Sequence, residues 1–288
     1  MKNLGILCLV VLCGCVSAMG NEWYATVNVP GQNSDWYNSL NWSLGHVPTA
    51  SETAEWRYAA ARTVYNPIVI SGGTAVSAAS TCSIWYSGTG NMTVTNGAVY
   101  TINGNLNLYN SASTALTGVN SELTINKGSK VNVVSTGASQ IGRVMNPTLG
   151  ARGQSTLNID GAGTEFNLGG YLYLGWSTAA ATQPTRMNVA NGAVATFTTI
   201  GGLKMNPAGT NDAVINLAGG VINIAGNRTA EVTGWLSHPG WIIGYDGIGT
   251  VEFAYDSTKN VTSIWSVPEP ATMGLLAVGL LTVLRRKN

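Results

Sequence analysis

Asp160, Glu165 and Arg186 are the nearest approach in this sequence to a set of side chains that could cleave a polysaccharide. Lyases need clustered carboxylates that bind Ca²⁺ and a basic residue that accepts a proton, whereas hydrolases need two carboxylates at a defined separation. The other acids, such as Asp35 and Asp246, are scattered singly along the chain. We therefore predict no catalytic residue. A polysaccharide lyase or hydrolase stays as an alternative, because a repetitive fold can stack distant residues on one face.

Histidine and cysteine offer no metal or cofactor site. His46 and His238 have no second His or Cys nearby in the sequence, and a transition-metal site needs several converging ligands. No P-loop, nucleophile elbow or dinucleotide fingerprint occurs in a suitable context. Three of the four cysteines fall before residue 19, which leaves Cys82 alone and excludes an intramolecular disulfide framework. We predict no metal, no cofactor and no defined role for Cys82.

Aromatic side chains suggest a different chemistry, because their faces stack on sugars. The candidate glycan contacts are Tyr171, Tyr173, Trp176, Trp235 and Trp241. In the segment YLYLGW, strand alternation places the two tyrosines on one side and the two leucines on the other. The outward tyrosines are interpreted either as a ligand ledge or as strand-favouring surface residues.

The composition favours an all-β fold. Charged residues make up 9% of the chain and apolar residues 45%, and glycine occurs 36 times. Such a chain is too apolar for disorder, and no long 3.6-residue periodicity appears away from its two ends. Without Lys2 and the basic C-terminal end, ten basic residues face thirteen acidic ones. This weakly acidic balance argues against nucleic acid, which requires a clustered basic face.

A repeat of about thirty residues predicts the architecture. Five segments share two alternating apolar residues, a glycine turn and a second alternating pair; they start at Met92, Leu123, Leu157, Met187 and Ile215. In a parallel β-helix, equivalent positions stack into internal ladders. We therefore predict a right-handed parallel β-helix over residues 61–266, with a β-sandwich as the alternative.

Asn-Gly pairs punctuate the repeats. Asn96-Gly97, Asn103-Gly104 and Asn191-Gly192 are turn dipeptides, because both residue types tolerate positive φ. We interpret them as corners of coils and not as ligands. They are equally compatible with hairpin turns, which would make the pairing antiparallel.

Residues 19–60 have a different sequence pattern from the repeats. The stretch from Trp36 to Pro48 has the form W-x4-NW-x2-G-x-VP. The open end of a solenoid exposes strand edges and apolar core. We therefore predict that this segment is an N-terminal cap built on Trp23, Trp36, Trp42 and Trp56.

Both chain ends have the layout of export signals. Lys2, the apolar run Leu4 to Leu12 and the small-residue site at Ala18 predict a signal peptide over residues 1–18, cleaved after Ala18. The alternative is a lipobox with Cys15 acylated.

Residues 267–288 begin with Val267, Pro268, Glu269 and Pro270, continue with about fourteen apolar residues and end with Arg285, Arg286 and Lys287. A bilayer span takes about 20 apolar residues, so a plain tail anchor, the alternative here, would be marginal. The terminal cations favour the cytoplasmic face.

This tail resembles the PEP-CTERM sorting signal of Gram-negative bacteria, and the W-x4-NW pattern and repeats resemble autotransporter-like, pectin-lyase-like β-helix proteins. The resemblance implies export to the outer surface, transient insertion of the tail in the inner membrane, and an exosortase-type processing enzyme as partner. It carries over no catalytic residue. We expect a non-enzymatic surface or extracellular-matrix protein, structural or adhesive, in contact with matrix polysaccharide. The first alternative is a glycan-binding module.

Overall fold

The computed structural model describes residues 20–23, 30–56, 67–77, 81–84, 90–109, 121–143, 154–175, 184–206 and 213–269. The predicted signal peptide with Ala18, and the tail beyond Glu269, lie outside these residues. So does the predicted boundary between residues 60 and 61.

Short strands follow one another in groups of three. Two strands come first, β1 (Gly20–Glu22) and β2 (Thr53–Trp56). The first two turns are β3 (Ile68–Ser71), β4 (Thr74–Ser77) and β5 (Thr81–Ile84), then β6 (Gly90–Thr95), β7 (Val99–Ile102) and β8 (Asn105–Tyr109). The next two are β9 (Ser121–Asn126), β10 (Lys130–Val133) and β11 (Ala138–Arg143), then β12 (Ser155–Asp160), β13 (Glu165–Leu168) and β14 (Tyr171–Leu174). The fifth is β15 (Thr185–Ala190), β16 (Val194–Phe197) and β17 (Leu203–Met205).

The C-terminal end departs from this rule of three. The strands β18 (Ala213–Ala218) and β19 (Val221–Ala225) lead into the helix α1 (Thr229–Leu236). After it come β20 (Ile242–Gly244), β21 (Gly249–Asp256) and β22 (Val261–Pro268). Lys204 Nζ of β17 lies 4.0 Å from Glu231 Oε1 of α1, so the helix lies beside β17.

Each turn gives one strand to each of three faces, and the protein is a β-solenoid. Face 1 runs β3-β6-β9-β12-β15-β18-β20, face 2 runs β4-β7-β10-β13-β16-β19, and face 3 runs β1-β2-β5-β8-β11-β14-β17. Within the five turns, every described strand pairs in parallel with its equivalent in the next turn. The predicted parallel β-helix is confirmed, and the alternative of a β-sandwich is wrong. The right hand of the coil remains a prediction.

The repeat seen in the sequence coincides with the register. Met92 pairs with Leu123, Leu123 with Leu157, Leu157 with Met187, and Met187 with Ile215. All five side chains are buried in a single apolar core. Because each inward side chain rests on its equivalent one turn away, the core is a set of continuous ladders.

Asn96-Gly97 and Asn191-Gly192 lie at corners between face 1 and face 2, and Asn103-Gly104 lies at the corner between β7 of face 2 and β8 of face 3. Asn96 and Gly97 have φ of 57° and 71°, and Asn191 and Gly192 have 53° and 81°. Two successive positive φ values are also typical of hairpin turns. Here the strands on either side diverge into different faces, so the pairs make coil corners, as predicted.

Three tryptophans pack together before the first turn. Trp42 lies between Trp23, at a ring-centroid distance of 5.1 Å, and Trp36, at 4.6 Å. Trp36 also contacts the core residue Tyr100 at 5.2 Å. The backbone around Asp35 continues face 1, because Val69 of β3 donates to the Ser34 carbonyl and accepts from Trp36 N. Whether this cluster acts as a cap stays a prediction; the side chain of Trp56 lies outside the described part.

The last two strands close the sheet at the other end. β21 and β22 form an antiparallel hairpin, β22 pairs with β19 of face 2, and β21 pairs with β20 of face 1 at Gly249 and Gly244. The hairpin turn is held by Asp256, whose carboxylate accepts from Lys259 N and Thr258 N and therefore has a lowered pKa. Faces 1 and 2 thereby form one sheet that runs around the C-terminal end.

Candidate functional site: the sorting motif and the outer faces

Amide side chains form ladders along the outer faces. Asn188 Nδ2 donates to Asn158 Oδ1 at 2.7 Å on face 1, and Asn167 Nδ2 donates to Asn132 Oδ1 at 3.0 Å on face 2. At the end of face 1, Asn216 donates to the Asp246 carboxylate and accepts from its backbone N–H, both at 3.0 Å. These outward polar groups therefore bond to one another from turn to turn.

The fold does not gather the candidate catalytic set. Asp160 ends β12 and accepts from Asn191 Nδ2 at 2.7 Å, whereas Glu165 begins β13 on the next face. Arg186 lies on β15, four residues before Ala190, the partner of Asp160. At about 3.3 Å per residue, Arg186 and Asp160 are some 13 Å apart along the sheet. Arg186 and Asp160 therefore do not converge, and Glu165 lies on the neighbouring face.

Glu165 instead forms an ion pair with Lys130. Glu165 Oε1 lies 2.7 Å from Lys130 Nζ, and Asn167 Nδ2 donates to the other oxygen at 3.3 Å. The hydrogen bond from Lys130 holds the pKa of Glu165 below its usual value, against the opposing effect of partial burial. The Lys130 side chain is 43% exposed and the Glu165 side chain 36% exposed, so the pair is a surface contact between turns.

We expect Glu165→Gln to lower the free energy of unfolding at neutral pH by about 0.5 kcal/mol, the usual size for an exposed pair. The folded state lowers the pKa, so this contribution is present above about pH 4.3 and is lost as the pH falls below it. Urea titrations at neutral pH and at about pH 3 should show a difference from wild type only at the higher pH. Lys130→Met should behave alike, and an equal difference at both pH values would contradict the assignment.

The two histidines have local partners. His46 Nε2 lies 3.5 Å from Glu52 Oε1, and the His238 ring stacks on Trp241 at 4.1 Å. Among the described residues, no three His, Cys, Asp or Glu side chains come close enough to hold a metal ion. Cys82 pairs by its backbone with Leu106 between β5 and β8.

The candidate glycan contacts differ in their access to solvent. Tyr171 is 36% exposed on β14 and Tyr173 is half-buried on the same outer side, while Leu172 and Leu174 are buried, as the alternation predicts. Trp241 is only 8% exposed. Trp235 packs partly buried against the core from α1. Trp176 lies outside the described residues. Among the described members of the set, Tyr171 and Tyr173 are thus the ones that face outward.

Trp265 is an outward aromatic residue that sequence reasoning missed. It lies on β22 between the buried Ile264 and Ser266, in register with Val221 on one side and Glu252 on the other. Beside it, Ser263 Oγ donates to Asn223 Oδ1 at 2.8 Å. The alternation in TSIWSV could have revealed this side chain as surface-facing.

The sorting residues begin inside the fold. Val267 and Pro268 are the last residues of β22, in register with Thr250 and Gly249, and Glu269 is exposed just beyond. The strand thus runs two residues past the predicted domain boundary at 266. Pro270, Arg285, Arg286 and Lys287 lie outside the described residues.

Comparison with known families adds one finding. Residues 266–287 match the PEP-CTERM protein-sorting motif. No curated protein and no solved structure matches the chain. In the ranges that the structure describes, no helix is long and apolar enough to span a membrane.

Fold and motif together define the class: an exported β-solenoid with a PEP-CTERM sorting motif. The motif indicates an exosortase as the partner at the C-terminus and a protein that is first anchored in the membrane and then processed.

Proposed function

We propose that the mature chain is a non-enzymatic structural or adhesive protein of the cell surface or extracellular matrix. Its body would be related to autotransporter-type, pectin-lyase-like β-helices. The observation that carries the proposal is the hydrogen bonding of outward amides from turn to turn, as from Asn188 to Asn158 and from Asn167 to Asn132. A weakly charged solenoid of this kind suits a scaffold role, because each turn buries its apolar side chains against those of the next.

The proposal is tested by deleting the gene and measuring surface attachment and matrix mass. We expect both to fall and to be restored by the wild-type chain. Restoration should be equal for a chain carrying Asp160→Asn, Glu165→Gln and Arg186→Met, because these side chains do no chemistry in the proposed role.

Two outcomes would overturn it. A deletion strain with normal attachment and matrix would remove the structural or adhesive role. Rescue by wild type but not by the triple variant, together with unsaturated or reducing ends released from matrix polysaccharide, would favour a lyase or hydrolase.

A glycan-binding module is the second candidate, favoured by the outward position of Tyr171 and Trp265. Aromatic faces of this kind stack on apolar sugar surfaces, and the neighbouring Asn223 and Ser263 supply hydrogen-bonding groups. Binding of the mature body to extracellular polysaccharide should weaken in Tyr171→Ala or Trp265→Ala. Phe253→Leu, a change on the inner side of the same hairpin, is the matched control.

A further inference from the structure

The fold ends inside the sorting motif. The motif starts at Ser266, whereas β22 continues to Pro268. Ser266, Val267 and Pro268 pair with Val251, Thr250 and Gly249 of β21. The first residues of the sorting signal are therefore part of the last hairpin of the body.

The backbone is closely packed at this point. Gly244, Gly249 and Val267 meet where β20, β21 and β22 come together. A Cβ added at Gly249 would lie 2.7 Å from Tyr245 Cδ2 and 2.9 Å from the Val267 carbonyl oxygen. A larger residue at 249 would crowd both the Tyr245 ring and the backbone of β22, so residue 249 affects how closely β21 holds the motif.

Few residues lie between the end of β22 and the apolar run of the tail. Only Glu269 and Pro270 separate Pro268 from the apolar run that starts at Ala271. Two residues span about 7 Å even when fully extended. An enzyme that reads Pro-Glu-Pro beside the membrane must therefore engage Pro268 at the point where β21 borders it.

Opening this end would leave the core intact. The backbone pairing of β22 with β19 stops at Trp265, so the three residues that follow pair only with β21 among the described strands. Outside that pairing, the Ser266 hydroxyl accepts a hydrogen bond of 3.4 Å from Gly219 N. The buried Ile264 lies before that point. Local opening of a strand end costs far less than global unfolding, and enzymes that process a chain act on such opened states.

We propose that the end of the β21–β22 hairpin gates the sorting motif: Ser266, Val267 and Pro268 must leave β21 before the exosortase can process the chain. Gly249 sets how firmly the gate is closed. The proposal rests on sorting by the motif and is independent of the structural or adhesive role.

A reversible lock tests the gate. Thr250 and Val267 are directly opposite, and Cα atoms in such antiparallel pairs are about 4.5 to 5.5 Å apart, a separation that a disulfide can span. The full-length chain with Thr250→Cys, Val267→Cys and Cys82→Ser is expressed in a bacterium that contains an exosortase. Conversion of precursor to the shorter form is followed by pulse-chase, with and without a membrane-permeant reductant.

We expect the oxidised lock to slow conversion by about tenfold or more, and the reductant to restore the rate of the single variant Val267→Cys. This comparison separates the lock from any direct effect of changing a motif residue. Equal conversion of the oxidised and reduced chains would overturn the proposal and show that the motif is processed while still paired.

A second variant opens the gate without touching the motif. Gly249→Ala should shorten the half-time of conversion by severalfold, because the new methyl group crowds the Val267 carbonyl oxygen as well as the Tyr245 ring and so weakens the hold of β21 on β22. The matched control is Gly234→Ala in α1, where an added Cβ meets nothing within 4 Å. An unchanged half-time in Gly249→Ala, with circular dichroism showing a folded body, would also contradict the gate.

Discussion

Replacing Trp42 by alanine should lower the free energy of unfolding by about 3 to 5 kcal/mol, the usual cost of emptying a large buried site. The side chain has no solvent exposure and packs edge to face between Trp23 and Trp36. Its indole N–H also donates to the Trp36 carbonyl at 2.8 Å, so the change leaves a buried acceptor without its partner. In a chain of this size, thermal unfolding should shift down by about 10 °C.

The same variant tests the predicted cap. If the tryptophan cluster protects the open end of the coil, the amide exchange rates of the variant should exceed those of wild type most in β3 and β4, which are next to the cluster, and least in β18 and β19. A uniform rise along the solenoid would contradict a capping role. Leu40→Ala, in the same segment but 56% exposed, is the matched control and should change little.

Gly170→Ala should be nearly as harmful, although it adds only one methyl group. Gly170 lies at the corner between β13 and β14, where an added Cβ would collide with the carbonyl oxygen of Gly137 and lie 2.8 Å from that of Ser135. Both atoms belong to the backbone of the previous turn and cannot rotate away. We expect a loss of about 3 kcal/mol, the upper range for overpacking, measured by denaturant titration.

The sign of the effect reverses for a glycine with free space around it. Gly234 lies in α1 with nothing within 4 Å of an added Cβ, so Gly234→Ala should stabilise the protein by up to about 1 kcal/mol. A similar loss in both variants would mean that contact between turns is not what makes Gly170 necessary.

Much of the coil could be predicted from the sequence. The alternating pairs at Met92, Leu123 and Leu157 identify inward positions, because only one side of each strand meets the core. Their recurrence at nearly equal spacing predicts stacking, and these residues are in register from turn to turn. A sequence repeat predicts the fold because each turn buries apolar side chains at the same positions as the turn before it.

The turn dipeptides show where sequence reasoning reaches its limit. Asn96-Gly97 has positive φ at both residues, which suits a hairpin and a coil corner equally. The partner of the following strand decides between them, and that partner is about thirty residues away. Pairing at such a distance is a property of the whole chain and is not encoded in the dipeptide.

The surface was harder to predict than the core. Glu165 pairs with Lys130, and Asp160 with Asn191, each across one full turn. Trp265 faces outward whereas Trp241 is nearly buried, and the composition of the sequence around them does not predict which of the two is more exposed. Outward neighbours come from different turns, so their contacts depend on the register and on the corner lengths together.

By itself, the sequence determined the all-β class, the stacked repeat and the sorting tail, because alternation, spacing and a short linear signal are local properties of the chain. Only the tertiary structure decided that three faces form, that β21 and β22 close the C-terminal end, and that the fold continues to Pro268 within the signal. The physical reason is that strand partners are chosen by backbone pairing between distant segments. The pairing of the first residues of the sorting motif with β21 is one example.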